Sequence, residues 1–185
     1  MQELYQAVRS GDPSQVKSVV EAHPSLELFA AVLTGDLQAL EALIAANRSQ
    51  INLLSSDGWT PLHLAAHFDQ PEVVRLLLNK GAHVNARSTN AMHNAPLHAA
   101  TAGKATAAAK LLIEHGADVN ARPASGWVPL HAAAQTGDVE TARLLIENGA
   151  DVNARADNQQ RPLDLALTKG QQAMVDFLES HGARL

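Results

Sequence analysis

Gly116-Ala117-Asp118-Val119-Asn120-Ala121-Arg122 returns 33 residues later as Gly149-Ala150-Asp151-Val152-Asn153-Ala154-Arg155. The same phrase stands earlier as Gly81-Ala82-His83-Val84-Asn85-Ala86-Arg87 and, shortened, at Gly182-Ala183-Arg184. A second phrase keeps step with it: Pro61-Leu62-His63, Pro96-Leu97-His98, Pro129-Leu130-His131 and Pro162-Leu163-Asp164, always 20 residues before the glycine. A fixed period of this size marks a repeat architecture, in which each unit is one supersecondary element stacked on the next.

Working outward, Gly81 to Pro96 spans 15 residues where Gly116 to Pro129 and Gly149 to Pro162 span 13, so an insertion of two lies within Ser88 to Ala95. Upstream the phrases fade, yet Gly11-Asp12 and Gly35-Asp36 hold the place that Gly137-Asp138 holds later. Six units follow, at about 1–26, 27–54, 55–87, 88–122, 123–155 and 156–185. They form one domain.

Local chemistry specifies two helices in each unit. Thr60 is a good N-cap and Pro61 suits the first helical position, because its φ is fixed and its missing N–H would have no partner there. Gly137 can take the left-handed conformation that ends a helix, and Asp138 can cap the next one. Asp12-Pro13 repeats that device. Leu144, Leu145 and Ile146 with Val139 and Ala142 give the second helix its apolar side, and Gly149 stops it before Asp151 and Asn153 turn the chain into a projecting finger. One such unit cannot bury its apolar side alone, so neighbours must stack. In the last unit Glu179 replaces the apolar residue of Leu78, Ile113 and Ile146, and Gln172 replaces Val139, which predicts a C-terminal cap with a polar outer side.

The two phrases at this separation resemble the ankyrin-repeat family, closely over 57–155, well over 156–185, and weakly but in register over 1–54. The resemblance implies an all-α solenoid of about six helix-turn-helix repeats with β-hairpin-like fingers, a groove between the fingers and the first helices, and a protein partner held there. It also implies that His63, His98 and His131 hydrogen-bond locally and to the neighbouring unit. The chain departs from the family pattern in places. Residues 24–26 leave no room for a finger, so the first unit is expected to be a bare helix pair acting as N-terminal cap. Asp69 stands where the inter-helix glycine belongs, Gly103 sits one position early, and Ala95, Val128 and Arg161 occupy the place of Thr60.

Composition narrows the function. The chain is 46% hydrophobic but only 3% aromatic, which favours closely packed helices filled by Ala, Leu, Val and Ile. A formal net charge of −5 is the wrong sign for gripping phosphate backbones, so no nucleic acid is expected. With no cysteine there is no disulfide, thiolate site or Cys nucleophile, and the cytoplasm fits. Neither a signal peptide nor a membrane span is read, and a monomer is expected.

No nucleophile with a base, no paired carboxylates in an apolar setting and no phosphate loop stand at a recognised spacing, so no enzyme and no cofactor are expected. Asp57 beside Ser55 and Ser56, and Asp138 with Glu140, read as turn and cap residues. His63 and His67 have the i,i+4 spacing of a metal pair, and the His-rich region 63–98 supports an alternative reading as a metal- or small-ligand-binding protein. No Cys and no nearby third ligand complete a tetrahedral set, so no metal is expected. Arg87, Arg122 and Arg155 recur at one position, where they can meet an anionic partner or bond to turn carbonyls and Asp residues of neighbouring fingers.

The few aromatic residues carry the site. Trp59 and Trp127 hold the same finger position two units apart, and His67 and Phe68 end a first helix on the groove side. Large rings are not needed in an Ala-rich core and Trp is enriched at binding hot spots, although either Trp could merely cover its own finger. The expected partner-binding surface has Trp59, His67, Phe68 and Trp127 as anchors, with Asp57, Asn94, Gln135, Thr136 and Lys169 as its polar surround.

Overall fold

The computed structural model describes residues 1–184. Among these, twelve α-helices and two 3₁₀ turns account for the regular structure, with no strand. The helices alternate between two rows. The first row is α1 (Gln2–Ser10), α3 (Glu27–Thr34), α5 (Pro61–His67), α7 (Pro96–Ala102), α9 (Pro129–Thr136) and α11 (Pro162–Thr168). The second is α2 (Pro13–Ala22), α4 (Leu37–Ala46), α6 (Pro71–Asn79), α8 (Thr106–Glu114), α10 (Val139–Glu147) and α12 (Gln172–Ser180). Each helix packs on its sequence neighbour to make a pair, and each first-row helix packs on the next of its row. The chain is an all-α repeat solenoid.

The helix ends follow from their residues. The Thr60 hydroxyl accepts from the His63 N–H (3.4 Å), and Pro61 begins α5. Asp138 accepts from Thr141 N (3.1 Å) to start α10, after Gly137 ends α9 at φ 71°. Asp12 does the same for α2 through Ser14 N (2.9 Å). Leucines fill the interior: Leu4, Leu62, Leu97, Leu130 and Leu163 from the first row and Leu40, Leu77, Leu112 and Leu145 from the second are all but fully buried. Alanines such as Ala66, Ala100, Ala134 and Ala166 let the rows approach closely. Gln172 and Glu179 are exposed on α12, while Met174, Val175, Phe177 and Leu178 on its other side are buried.

Two departures from the repeat pattern have physical reasons. Gly103 does not take the left-handed conformation; Lys104 does, at φ 55°, while Asp69 takes it after α5, at φ 50°. Gly103 is small for another reason, because a Cβ there would overlap the His67 carbonyl oxygen. Asp69 in turn uses its carboxylate across the array, accepting from Ala108 N of α8 (3.1 Å), which a glycine could not do.

The fingers are tight turns rather than extended hairpins. Ser55 N donates to Trp59 O (2.8 Å), Ser88 N to Asn94 O (2.9 Å) and Ala156 N to Gln160 O (2.9 Å), one closing bond each. Successive fingers are joined by Thr89 N to Gly58 O (2.9 Å), Ala124 N to Met92 O (3.2 Å) and Asp157 N to Ser125 O (3.1 Å). One bond per step falls short of a β-ladder.

Candidate functional site

The finger-to-helix junction is built by histidines. His63 Nε2 lies 2.8 Å from Asn94 O, and since a carbonyl only accepts, the proton sits on Nε2 and leaves Nδ1 to accept from the Thr60 N–H (3.3 Å) and hydroxyl (2.8 Å). His98 Nε2 donates to Ala121 O (3.1 Å) and Trp127 O (3.0 Å) while its Nδ1 accepts from Ala95 N (3.2 Å), and His131 Nε2 donates to Gln160 O (3.0 Å). Each imidazole ties one first-row helix to the following finger. Burial pushes all three below the ordinary histidine value, His98 to about 4, so they stay neutral at pH 7. Asp164 holds the fourth place, accepting from Arg161 N (2.8 Å).

These bonds occupy both ring nitrogens of His63 and His98 and Nε2 of His131, whose Nδ1 is buried without a partner, and His67 Nδ1 donates to Ala99 O (3.2 Å). Among the described residues no group of three or more His, Cys, Asp or Glu side chains is placed to hold a metal ion. The arginines meet their neighbours: Arg87 Nη1 donates to Arg122 O (3.3 Å), and Arg122 Nη2 lies 3.5 Å from Asp157 Oδ1. Arg155 is exposed.

Locked fingers position the aromatic residues. Trp59 lies over the end of α5, 6.0 Å from the His63 ring and edge-on to His67 at 5.3 Å. His67 meets Phe68 edge-on at 5.0 Å, and Phe68 reaches Tyr5 of α1 at 6.0 Å. Four rings thus run in unbroken contact from the finger to the first helix of the chain, and Phe68, 39% exposed, opens the cluster to solvent. The Tyr5 hydroxyl donates to Asp57 Oδ2 (3.1 Å), and Asn90 Nδ2 donates to Asp57 O (3.3 Å). Burial, reinforced by the Asp57 carboxylate, raises the Tyr5 phenol above its ordinary value and keeps it protonated. Tyr5, Arg9, Asp57, Trp59, His67, Phe68 and Asn90 enclose a hollow of about 330 Å³.

Of the sequence-based candidates, Asp57, Trp59, His67 and Phe68 therefore come together. The others do not join them. Asn94 is half-buried and serves through its carbonyl. Trp127 stacks on His131, ring centres 5.8 Å apart at 22°, as a ring covering its own finger would. The Thr136 hydroxyl donates to Ala132 O within its own helix (3.0 Å), Gln135 is half-buried, and Lys169 is exposed just beyond α11. Sequence reasoning missed Tyr5, Arg9 and Asn90. The signals were the fingerless junction at 24–26, which lets α1 reach the finger at 55–59, and the insertion after Ser88, which carries Asn90 onto Asp57.

A stack of helix pairs locked through a recurring histidine, with turn-like fingers on one side, defines a class of repeat protein. The family description "Ankyrin repeats (3 copies)" matches residues 4–88, 28–123 and 97–185, and the chain belongs to the ankyrin-repeat family. It is similar to protein phosphatase 1 regulatory subunit 27 of Mus musculus, 42% identical over 85 residues covering 40% of this chain and 54% of that protein, and to its Homo sapiens counterpart at the same identity. It is 34% identical over 88 residues to ankyrin repeat and SAM domain-containing protein 6 of Rattus norvegicus, covering 48% of this chain and 10% of that one. The chain thus spans about half, or far less, of the length of these relatives. No helix among the described residues is long and apolar enough to cross a membrane.

Proposed function

We propose that the chain is a non-enzymatic module, one domain of six units capped by the first and last helix pairs, that binds a partner protein in the groove between its fingers and first-row helices. The ring cluster Tyr5–Phe68–His67–Trp59, flanked by Asp57, Arg9 and Asn90, is the observation that carries this reading. Apolar rings held from both sides and open to water make a pre-formed anchor site, which costs little ordering when a partner binds. Trp127, Asn94, Gln135, Thr136 and Lys169 extend the surface along the later units. A regulatory-subunit name among the relatives accords with a binding role, and a cytoplasmic monomer accords with the cysteine-free, acidic chain.

The test is affinity capture on immobilised full-length protein beside its Phe68→Ala and Trp59→Ala variants. One stoichiometric protein is retained by the parent, and each variant weakens it by about 2 kcal/mol or more with a melting temperature within a few degrees of the parent. A large fall in melting temperature with unchanged binding per folded molecule would make these rings packing residues and remove the site.

A further inference from the structure

A second surface lies at the N-terminal end, beyond the reading above. Second-row helices pack on one another from α4 through to α12, whereas α2 makes no comparable contact with α4. None of the residues of α2 is fully buried, and Val16 and Val20 are only half covered. Between the two helices opens a cleft of about 760 Å³, walled by Val8, Val16, Val20, Leu33 and Ala39. Its volume is that of a ligand site, and its walls are aliphatic. Val8 and Leu33 border both this cleft and the hollow under Phe68, so the two surfaces adjoin without sharing their rings.

The rim decides what fits. Asp12, Glu21, Glu27 and Asp36 stand around the opening against a single Lys17, which lies 3.8 Å from Glu21. The two aspartates are the N-caps of α2 and α4, accepting from Ser14 N and Ala39 N, and the hydrogen bonds from the Ser14 hydroxyl and N–H hold the Asp12 carboxyl below its ordinary value. Fatty acids and acidic peptides are repelled by such a rim, while a cationic flank is drawn in. The gap also stands where every later pair has a helix neighbour, and α2 at ten residues is about 15 Å long. We propose that the α2–α4 cleft binds an amphipathic helix of about three turns, apolar on one face and lined by Lys or Arg along both flanks, supplied by a partner protein.

Two synthetic 14-residue helices test this on the full chain, one with a Leu face flanked by Lys and its twin with Glu in place of Lys. Fluorescence anisotropy should show the Lys peptide binding at least tenfold more tightly than the Glu peptide. That preference should shrink in 0.5 M salt and vanish in the Glu21→Lys/Glu27→Lys variant, whose exposed substitutions leave the fold intact. Amide shifts should map to Val16, Val20 and Ala39. Equal affinity for both peptides, no binding at millimolar concentration, shifts centred on Trp59 and Phe68, or a dimer by sedimentation that Val16→Ser abolishes would each overturn the proposal. Because binding in the cleft is read at Val16, Val20 and Ala39, which lie outside the ring cluster, failure here leaves the groove reading standing, and loss of the groove reading leaves this one.

Discussion

Neighbouring helix pairs between α5 and α12 are joined at three levels, whereas the first pair is joined at little more than one. From α5 onward the first-row helices stack, the second-row helices stack, and the loops are tied as well. His63, His98 and His131 bond to the following finger, and Asn85, Asn120 and Asn153 each donate to the next glycine carbonyl and accept from the next turn's N–H. At the N-terminal end α1 packs on α3, and Tyr5 reaches across to Phe68 and Asp57, but α2 makes no contact with α4 comparable to those of the later second-row helices, and among the described residues no histidine or asparagine tie joins the first pair to the second. In a repeat array stability is a sum over units and the interfaces between neighbours, so unequal interfaces mean unequal local stability within one continuous fold. The loosely joined end is also the one that presents unfilled apolar surface.

The harshest way to break this comparison is to remove an end. Expression of 1–155 strips α11 and α12 from α9 and α10 and bares the apolar surface that Leu163, Met174 and Leu178 cover. The truncated chain should aggregate or melt at least about 10 °C lower, and removal of 1–23 should cost less than half as much. Differential scanning calorimetry of both truncations decides it. A monomeric 1–155 that melts with the parent would show that the last pair is no cap, and equal losses from both ends would erase the contrast.

Acid offers a gentler test, confined to the tied region. His98 is neutral in the fold with a value near 4 against about 6.5 when unfolded, and His63 and His131 are displaced the same way by burial. Below pH 6.5 the unfolded chain therefore binds protons that the folded one does not. The stabilisation is complete above that pH and is lost as pH falls from 6.5 to 4, by on the order of 3 kcal/mol through His98 alone. Hydrogen exchange at pH 7 and pH 5 should show α5 to α10 losing protection while α1 to α4 change little. His98→Gln should flatten the pH dependence; an unchanged slope in that variant would mean that the imidazole is not what acid attacks.

The tied region is also the part legible from sequence, and for the same reason. Where each unit makes identical bonds to the next, the residues that make them recur, so Pro61 and Gly116 each announce three further positions and His63 and Asn85 announce the histidines and asparagines of the next two units. The N-terminal site has no such redundancy. Tyr5 matters only because residues 24–26 bring α1 within reach of the finger at 55–59, a distance that no local pattern encodes. Trp59 and Phe68 were readable as large rings in an alanine-rich array, but Trp127 satisfied the same reading while stacking on its own helix. Asp69 looked like a missing glycine because its partner, Ala108 N, lies in the next unit.

The finest test compares two glycines that the same pattern would treat alike. Gly11 ends α1 at φ 69° with nothing within 4 Å of where a Cβ would stand. Alanine there meets only the left-handed backbone penalty, so Gly11→Ala should cost about 1 kcal/mol. Gly103 sits at an ordinary right-handed φ of −81°, where alanine's own backbone preference is no obstacle. Its Cβ would instead overlap the His67 carbonyl oxygen, which is backbone and cannot swing aside. Relief requires α5 and α7 to move apart, disturbing the bond from His67 to Ala99 O as well as the packing between rows. Gly103→Ala should therefore cost about 2 kcal/mol or more in urea unfolding and shift the His67 ring signals, while Gly11→Ala leaves them in place. Equal costs would mean that the interface between α5 and α7 yields as readily as the open end of α1, and the difference in joining between the two regions would then lie in their loops and not in the close approach of their helices.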